Sequence, residues 1–410
     1  MPAPRREATP KADICVVGGA GRVGLPLALS FAATNQRVII YDLNDQVLAQ
    51  IGSGQMPFLE LGGQEILERV LGKTLFLSSD ISDVAKAEYV IVAIGTPVDE
   101  YLNPNLRVFL ELFGRLRPHL NNRQTVIIRS TVFPRTCAKL LSVLGEEDGP
   151  WKIAYCPERI SQGHAIEELK QLPQIVSGLT PEALASAERL FSRISPKVIP
   201  LAIEEAELAK LFSNAWRYLQ FAAANQFYMM SEEFGVDFGR IRQAMVDGYG
   251  RAASLPIAGF AAGPCLLKDT MQLAAFNNNN FMLGHAAMLV NEGLPAFLVR
   301  LVAEKHDLGR TTVGILGMAF KADIDDIRDS LSYKLGKILR FQGARVLYSD
   351  EYVEDPTFST KEDLIAGADV VIVGAPHSAY RDLEIPEGVD VIDTWGILKQ
   401  RGERTALAAG

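Results

Sequence analysis

The sequence predicts an α/β protein in which two doubly wound parallel-sheet domains are joined by a long central helix. Three observations indicate this architecture. A β-branched run at 14–17 leads into a glycine-rich turn, a helical pattern and a second strand at 37–41. In the middle of the chain, apolar residues repeat at helical spacing from Glu204 to about Glu233. After residue 310 the order of strand, turn, helix and strand returns.

Composition and charge limit the possible functions. The chain has 410 residues, enough for two or three domains with large cores, and its formal net charge is −8. That charge argues against a nucleic-acid coat or a general binder of anionic membranes. The four cysteines show no metal-ligand spacing, and there is no run of about 18 apolar residues. We therefore expect a cytoplasmic protein without a metal site, a nucleic-acid partner or a membrane span.

The turn after the first strand reads Gly19-x-Gly21-x-x-Gly24, and the second strand ends at Asp42. In a Rossmann-like domain, such glycines let the backbone approach a pyrophosphate at a helix N-terminus. An acid about 20 residues later binds the ribose hydroxyls, and it would repel the 2′-phosphate of NADP. The pattern therefore predicts an NAD site.

Later strands of the first domain end in short polar turns. These turns contain Thr96, Thr131 and the triplet Pro157-Glu158-Arg159. Because the carboxyl ends of parallel strands form the ligand crevice, Thr96, Thr131 and Glu158 are candidate site residues. The alternative is that the threonines only cap the helices that follow.

The central helix, Glu204 to about Glu233, has both an apolar and a polar stripe. The apolar stripe consists of Leu208, Leu211, Phe212, Ala215, Leu219 and Ala222, and the polar stripe of Glu207, Lys210, Asn214 and Arg217. Solvent exposure usually explains a polar stripe, but Asn is a poor helix former and its surroundings are apolar. We therefore expect Lys210 and Asn214 to project into a cleft. Further apolar residues, 221–224 and Phe227, predict an interface with a second copy.

The loop Gly259–Asp269 contains Cys265, followed by Lys268 and Asp269. Small and turn-forming residues before the cysteine allow a close backbone approach and hold the thiol at a bend. A neighbouring lysine can lower a cysteine pKa, and the thiolate is the nucleophilic form. The alternative is a buried structural cysteine.

The last part of the chain repeats the strand and helix order without a full glycine fingerprint. Its first turn contains Lys321, Asp325, Asp326 and Arg328, side chains that can bind a nucleotide. We expect a loose tail at 1–11, an NAD-binding domain at 12–200, a helical dimerisation and active-site region at 201–300, and a nucleotide-sugar domain at 301–410.

These motifs identify a family. Over about residues 12–400 the sequence resembles the UDP-glucose/GDP-mannose dehydrogenases, through VVGGAGRVGLPLA, AIGTPVD, RSTVFP, CPERISQG, AELAKLFSNAWR, Cys265-x-x-Lys268-Asp269 and GMAFKADIDDIRDS. The resemblance implies oxidation of the C6 hydroxyl of a nucleotide-linked hexose to a carboxylate with two NAD⁺. It also implies a homodimer or a higher homo-oligomer.

The resemblance also implies roles for individual residues. Cys265 would form a thiohemiacetal and then a thioester, Lys210 and Asn214 would stabilise the oxyanion, and Asp269, Thr131 and Glu158 would handle water and protons. The expected NAD contacts are Gly19, Gly21, Arg22, Val23, Gly24, Asp42, Thr96, Thr131, Lys268 and Arg328. The expected substrate contacts are Glu158, Arg159, Lys210, Asn214, Phe260, Lys321 and, from the partner subunit, Arg251.

Two UDP-sugar substrates and two other functions stay open. Pro157-Glu158-Arg159 and GTPVDEYLNPNL resemble the UDP-N-acetylhexosamine branch, whereas Cys265-x-x-Lys268-Asp269 resembles the UDP-glucose branch. Ala262 and Pro264 depart from both patterns. A two-electron hydroxyacid dehydrogenase would have no use for Cys265 or for a second sheet domain. A non-catalytic nucleotide-sugar sensor is disfavoured by the intact set of Lys210, Asn214, Cys265 and Asp269.

Overall fold

The computed structural model describes residues 11–96, 106–145 and 150–398, and it divides into two compact units, Met1–Ser213 and Asn214–Gly410. The expected tail at 1–11 lies almost wholly outside the described residues, as does most of the GTPVDEYLNPNL stretch. The four domain boundaries given above remain predictions.

The first unit contains an eight-stranded sheet. Its strands are β1 (Ala12–Val17), β2 (Val38–Tyr41), β3 (Leu75–Ser78), β4 (Ala87–Val92), β5 (Thr125–Ile128), β6 (Lys152–Tyr155), β7 (Gln174–Gly178) and β8 (Val198–Pro200). The order is β3-β2-β1-β4-β5-β6-β7-β8, and every pair is parallel except β6 with β7. The order reverses on either side of β1, as in a doubly wound fold.

Helices cover both faces of this sheet. They are α1 (Gly24–Ala33), α2 (Asp45–Gly52), α3 (Gly63–Val70), α4 (Leu106–Leu116), α5 (Thr136–Leu144), α6 (Ala165–Gln171) and α7 (Pro181–Phe191). Alternate residues of β1 enter different cores, since Ile14 packs with Leu25 of α1 and Cys15 packs with Phe109 of α4. A strand buried on both faces reads as a continuous apolar run, which is what made β1 recognisable in the sequence.

The long helix α8 (Ile203–Glu233) begins in the first unit and ends in the second. The predicted element is confirmed, but two of its residues were assigned to the wrong faces. Phe212, expected in the apolar core stripe, is 53% exposed. Arg217, expected to continue the stripe of Lys210 and Asn214, is exposed while those two side chains are buried.

The second unit combines helices with a four-stranded parallel sheet. The helices are α9 (Phe238–Val246), α10 (Leu266–Phe276), α11 (Met282–Ala303), α12 (Leu331–Phe341) and α13 (Lys361–Gly367). The strands are β9 (Thr312–Leu316), β10 (Arg345–Ser349), β11 (Val370–Val373) and β12 (Asp390–Ile392), in the order β10-β9-β11-β12. The prediction of two parallel-sheet domains and a long helix is thus confirmed, although the first sheet contains one antiparallel pair.

Helix α11 is the one described helix that is long and apolar enough to cross a membrane, by length and composition only. Two of its polar side chains are nevertheless bonded within the second unit. Asn291 is fully buried and donates a hydrogen bond to the carbonyl of Tyr218, and Glu292 pairs with Lys334 of α12. These contacts are those of a core helix, which keeps its polar groups paired inside the fold.

Candidate active site

The glycine turn of the first unit leaves room for a ligand only at its middle glycine. A Cβ on Gly24 would lie 2.4 Å from the carbonyl oxygen of Gly18, so this glycine is needed for the close approach of α1 to the turn. A Cβ on Gly21 would have one neighbour, the Gly18 oxygen, at 3.5 Å. Val23 occupies the N-cap of α1, and the Arg22 guanidinium lies 4.9 Å from the centre of the Phe58 ring. The open backbone at a helix N-terminus suits a pyrophosphate.

Asp42 directly follows β2 and faces this turn. Its carboxylate accepts hydrogen bonds from the backbone N–H groups of Ala20 and Asn44, each at 3.1 Å. The side chain is only half-buried, so the carboxylate can also accept bonds from a diol. These donor and acceptor positions fit the adenosine diphosphate part of NAD⁺, with its ribose at Asp42 and its pyrophosphate at Gly21.

Thr96 and Thr131 follow β4 and β5, at the carboxyl edge of the sheet, and both are half-buried. The Ser130 hydroxyl ties these two ends together by donating to the carbonyl of Ile94 at 2.7 Å. This arrangement agrees with the crevice position expected for the two threonines.

Glu158 is held by a fully buried arginine that the sequence analysis did not single out. Arg129 forms an ion pair with the Glu158 carboxylate and donates to the Cys156 carbonyl at 2.9 Å and to Gln174 Oε1 at 2.6 Å. Glu158 Oε1 also accepts from the N–H groups of Arg159, at 2.7 Å, and Ile160, at 2.9 Å. Glu158 is thus oriented on both sides.

Arg159, expected to contact substrate, is partly committed within the first unit. Its guanidinium donates to the carbonyl of Pro173. Burial, followed by the nearby charge of Arg129, lowers the pKa of Arg159 from its ordinary value. Its expected role in substrate binding remains a prediction.

Two buried side chains of the α8 polar stripe differ in function. Glu207 accepts from the backbone N–H groups of Arg135, at 2.5 Å, and Cys137, at 3.0 Å, and so caps the start of α5. Lys210 is also buried, but its ammonium has no hydrogen bond or ion pair with any described residue. The ammonium itself keeps some exposure to solvent, so a ligand can reach it, which makes Lys210 a candidate ligand-binding group.

Asn214 and Asp269 form a buried pair in the second unit. The Asn214 amide donates to Asp269 Oδ2 at 2.6 Å. The other oxygen, Oδ1, lies 3.6 Å from the ammonium of Lys268. Asp269 is fully buried on α10, one turn after Cys265, so the pair fixes the first turn of that helix against α8.

Cys265 is the exposed one of the four cysteines and occupies the N-cap of α10. The alternative of a buried structural cysteine is therefore wrong. Burial raises the pKa of Cys156 to about 12 and also raises the pKa values of Cys15 and Cys137. A helix N-terminus favours negative charge, so Cys265 is the thiol best placed to react as a thiolate.

The loop before Cys265 packs tightly against the second sheet domain. A Cβ on Gly263, whose φ is +93°, would lie 2.5 Å from the Phe320 ring, and its N–H donates to the carbonyl of Asp329 at 3.2 Å. The side chain of Phe260 is buried in the hydrophobic core with Ala258. Only the backbone of Phe260 is therefore suited to its expected contact with substrate.

The remaining predicted cations of the second unit differ in their partners. Arg328 forms a two-point pair with Asp326, with Nη2–Oδ2 at 2.7 Å and Nε–Oδ1 at 3.0 Å. Lys321 is half-buried in the turn after β9. Arg251 is exposed and pairs with no described residue.

Besides Arg129, sequence reasoning missed four buried polar residues that organise these regions. Gln174 has no motif around it, and neither does His377, which bonds to Asp350 at 3.0 Å. Asn225 and Asn291 are fully buried within helices. The low helix propensity of Asn, which drew attention to Asn214, was the available signal for both.

An open glycine turn with an anchored acid at the end of β2 defines the first unit as the NAD-binding domain of a dehydrogenase. Models of the UDP-glucose/GDP-mannose dehydrogenase family match most of the chain: the NAD binding domain matches 12–195, the central domain 204–292 and the UDP binding domain 314–400. The chain belongs to this family. It is an NAD-dependent oxidoreductase that acts on CH–OH groups, and the predictions of family and cofactor are confirmed.

Individual relatives agree with this assignment. The chain is 28% identical to a UDP-N-acetyl-D-mannosamine dehydrogenase of Pyrococcus horikoshii, over 89% of this chain and 90% of the relative. It is also 28% identical to a UDP-glucose 6-dehydrogenase of Haloferax volcanii, over 89% and 92%. The solved structure of a UDP-D-ManNAc dehydrogenase from Pyrococcus horikoshii has a TM-score of 0.86 at 26% identity, over 95% of this chain and 96% of that one.

Proposed function

We propose that this protein is a UDP-N-acetylhexosamine 6-dehydrogenase that oxidises the C6 hydroxyl of UDP-GlcNAc or UDP-ManNAc to a carboxylate. The observation that carries the proposal is the exposed thiol of Cys265 at the start of α10, one turn before the buried Asn214–Asp269 pair. Relatives that act on UDP-N-acetyl-D-mannosamine support this choice of sugar.

The proposed reaction passes through a covalent bond to Cys265. The hydroxyl on C6 loses its proton and the C6 carbon loses a hydride, which gives the aldehyde. The Cys265 thiolate adds to C6 to give a thiohemiacetal, which loses a second hydride and becomes a thioester. Water then breaks the C–S bond and releases the carboxylate and the thiol. Bound NAD⁺ would supply the hydride acceptor for each oxidation, so two NADH would form per sugar.

The other proposed roles follow from the chemistry of each group. Lys210 and Asn214 stabilise the negative charge that develops on the C6 oxygen. Asp269 and Thr131 orient water, and Glu158, oriented by Arg129, takes up a proton. The residues that would hold NAD⁺ are Gly19, Gly21, Arg22, Val23, Gly24, Asp42, Thr96, Thr131, Lys268 and Arg328. Arg159, Lys321 and the backbone at Phe260 bind the nucleotide sugar.

UDP-glucose is the second candidate substrate. The UDP-glucose 6-dehydrogenase of Haloferax volcanii is as similar in sequence as the UDP-N-acetyl-D-mannosamine dehydrogenase, at 28% identity each. The lysine of Cys265-x-x-Lys268-Asp269 also resembles the UDP-glucose branch. Both substrates would be oxidised through the same thioester.

We propose a homodimer formed through α8. Its outward surface carries Trp216, Phe227 and Met230, which are 59%, 42% and 48% exposed, and Phe234, which is 81% exposed, directly follows its last residue. With the exposed Ala223 these residues repeat at steps of three, four and seven, so they form one apolar stripe along the helix. A stripe of this kind marks an interface. Of the residues on which the sequence prediction rested, Ala222 and Ala224 are buried within the chain and Phe227 is exposed.

The same proposal includes a partner contact and a location. Arg251 follows the turn at Gly248, is exposed and has no partner among the described residues, so it is free to reach the sugar site of the second subunit. We place the enzyme in the cytoplasm, where its four free cysteines would stay reduced.

The decisive experiment counts NADH formed per sugar consumed, with UDP-GlcNAc, UDP-ManNAc and UDP-glucose offered separately. We expect two NADH per sugar, the highest kcat/KM with an N-acetylhexosamine, and a Cys265→Ser variant that binds NAD⁺ but stops at the aldehyde. One NADH per sugar would indicate a two-electron dehydrogenase, and none would indicate a sensor. Carboxylate formation by Cys265→Ser at the wild-type rate would exclude the covalent route.

A further inference from the structure

Two buried asparagines of the second unit make an unusual contact with the loop that leads to Cys265. Asn225 Oδ1 accepts a hydrogen bond from the N–H of Gly259 at 2.8 Å, and Asn225 Nδ2 donates to the carbonyl of the same glycine at 3.0 Å. One side-chain amide therefore satisfies both backbone groups of one residue. Asn225 Nδ2 also donates to Asn291 Oδ1 at 2.9 Å, and Asn291 Nδ2 donates to the carbonyl of Tyr218 at 3.0 Å.

These amides lie in an otherwise apolar environment. Asn225 and Asn291 are fully buried, and the side chains next to them in the same helices, Ala224 and Leu294, belong to the hydrophobic core. Burying an amide costs free energy unless all its groups are bonded, and the net gain from each bond is only about 1 kcal/mol. An apolar pair would fill a helical core at lower cost, so stability alone does not account for two amides here.

Gly259 is fixed from a second side as well. A Cβ on this residue would lie 2.4 Å from the Trp395 ring, so its backbone lies directly against the indole. The indole is itself anchored, since Trp395 Nε1 donates to the carbonyl of Gly374 at 3.2 Å. The start of the loop is therefore held between Asn225 and Trp395, six residues before the thiol.

Asn225 and Asn214 lie on the same face of α8. They are eleven residues apart, which is three helical turns, so their side chains point in nearly the same direction. Asn214 bonds to Asp269, four residues after Cys265, and Asn225 bonds to Gly259, six residues before it. The two amides thus attach the chain to α8 on both sides of the thiol.

We propose that Asn225, supported by Asn291, is a positioning residue that fixes Cys265 relative to α8 through its paired hydrogen bonds to Gly259. The inference rests on the proposed role of Cys265 as the nucleophile. The aldehyde must be captured by the sulfur before it leaves the site, and capture requires an accurately held thiol. Without the Asn225 contact, the segment that carries Cys265 would be attached to α8 on one side of the thiol only.

The test compares Asn225→Ala with a variant destabilised elsewhere in the same unit. Leu339→Ala removes a fully buried apolar side chain of α12 and leaves in place both side-chain amides that hold Gly259 and Tyr218. Two measurements are made on the full-length protein, well below the unfolding transition of each variant. The first is the rate at which iodoacetamide alkylates Cys265, followed by mass spectrometry. The second is the release of aldehyde during turnover, detected with a hydrazine.

We expect Asn225→Ala to alkylate several-fold more slowly, because a displaced sulfur loses the charge stabilisation of the α10 N-terminus. We expect kcat to fall about 10- to 100-fold, the usual cost of misplacing a reacting group by about 1 Å, with free aldehyde appearing and NAD⁺ affinity unchanged. Leu339→Ala should show neither effect. Alkylation of the three buried cysteines reports any general opening of the fold.

The proposal would be overturned if folded Asn225→Ala had the alkylation rate and kcat of the wild type. It would also be overturned if Leu339→Ala changed both quantities as much as Asn225→Ala does. If Asn225→Ala does not fold, Asn291→Ala serves instead, since it leaves the Asn225–Gly259 pair in place and removes its support. That variant should show the same changes at smaller size, and wild-type behaviour would count against the proposal. The alkylation rate needs no turnover, so it tests the positioning of the thiol even if Cys265→Ser proves fully active.

Discussion

The Arg129–Glu158 ion pair supports a prediction whose size can be worked out from the structure. In Arg129→Met, Glu158, a residue only 8% exposed, keeps its carboxylate but loses its cation. The carbonyl of Cys156 and Gln174 Oε1 lose their donor as well. The variant therefore leaves one buried charge and two buried acceptors without the partner that bound them.

The expected cost is large. Removing one partner of a buried ion pair costs about 3–5 kcal/mol, and a buried acceptor left without a donor costs about 1–3 kcal/mol. We expect the free energy of unfolding of the first unit to fall by about 4 kcal/mol, the middle of the ion-pair range, because solvent and neighbouring donors offset part of the loss. A unit of this size loses about 2–4 °C of Tm per kcal/mol, so Tm should fall by about 8–16 °C.

A double-mutant cycle tests the reasoning. Arg129→Met, Glu158→Gln and the double variant are compared by urea unfolding at one pH, with bound NAD⁺ as a check of folding. Glu158→Gln removes the charge that Arg129→Met leaves unpaired. The free energy of unfolding of the double variant should therefore be at least about 1 kcal/mol higher than the value expected from adding the two single losses. Arg129→Lys keeps the positive charge but removes the planar guanidinium, so it shows how much of the effect comes from charge and how much from geometry. Additivity within about 0.5 kcal/mol would refute the reasoning.

Four further predictions follow from single sites. Asp42→Ala should narrow the preference for NAD⁺ over NADP⁺ in kcat/KM, and equal values in the wild type would contradict the assignment. Trp216→Glu puts a charge in the apolar stripe, so it should convert the proposed dimer to a monomer, as measured by light scattering. Arg251→Ala and Cys265→Ser subunits, each nearly inactive alone, should regain activity when mixed, and no recovery despite subunit exchange would place Arg251 outside the partner's site. Burial alone would raise the pKa of Asp350, but the hydrogen bond and the charge of His377 lower this pKa, so that overall it lies below 3.8. The Asp350 carboxylate therefore stabilises the fold above pH 3.8, and this contribution is lost as the pH falls further. Asp350→Asn should therefore lower the free energy of unfolding at pH 6 and differ less from wild type as the pH falls below 3.8, and a difference independent of pH would contradict this.

Strands and helices that carry a complete local pattern could be predicted from the sequence. The strand predicted at 37–41 is β2, which begins one residue later, and α8 begins one residue earlier than expected. β7, by contrast, was missed. It contains the polar residues Gln174 and Ser177, whose side chains are satisfied by distant groups, namely Arg129 and the carbonyl of Tyr155. Its tertiary partners decide its conformation, and they cannot be read from a window of a few residues.

The residues of the candidate site also fall into those that the sequence predicts and those that it does not. Asp42 and Cys265 were found because the chemistry proposed for them demands a residue type at a fixed spacing from glycines or from other charged groups. Arg129 was quoted only as part of a motif, and its role depends on Glu158, a contact between residues 29 positions apart. A residue that acts by orienting another has no spacing of its own in the sequence, because the fold supplies the distance.

Asn225 shows that part of this information is nevertheless present in the chain. An asparagine in the middle of a helix costs about 0.7 kcal/mol relative to alanine, and α8 places two of them three turns apart among alanines and aromatic residues. Each is bonded to the segment that carries Cys265, one before the thiol and one after it. The unfavourable helix propensity is offset only if the amide finds a partner elsewhere in the fold, so a buried mid-helix asparagine predicts a long-range hydrogen bond. When two such residues recur on one face, the sequence predicts that a single segment is attached there at two points, and in this protein that segment is the cysteine loop.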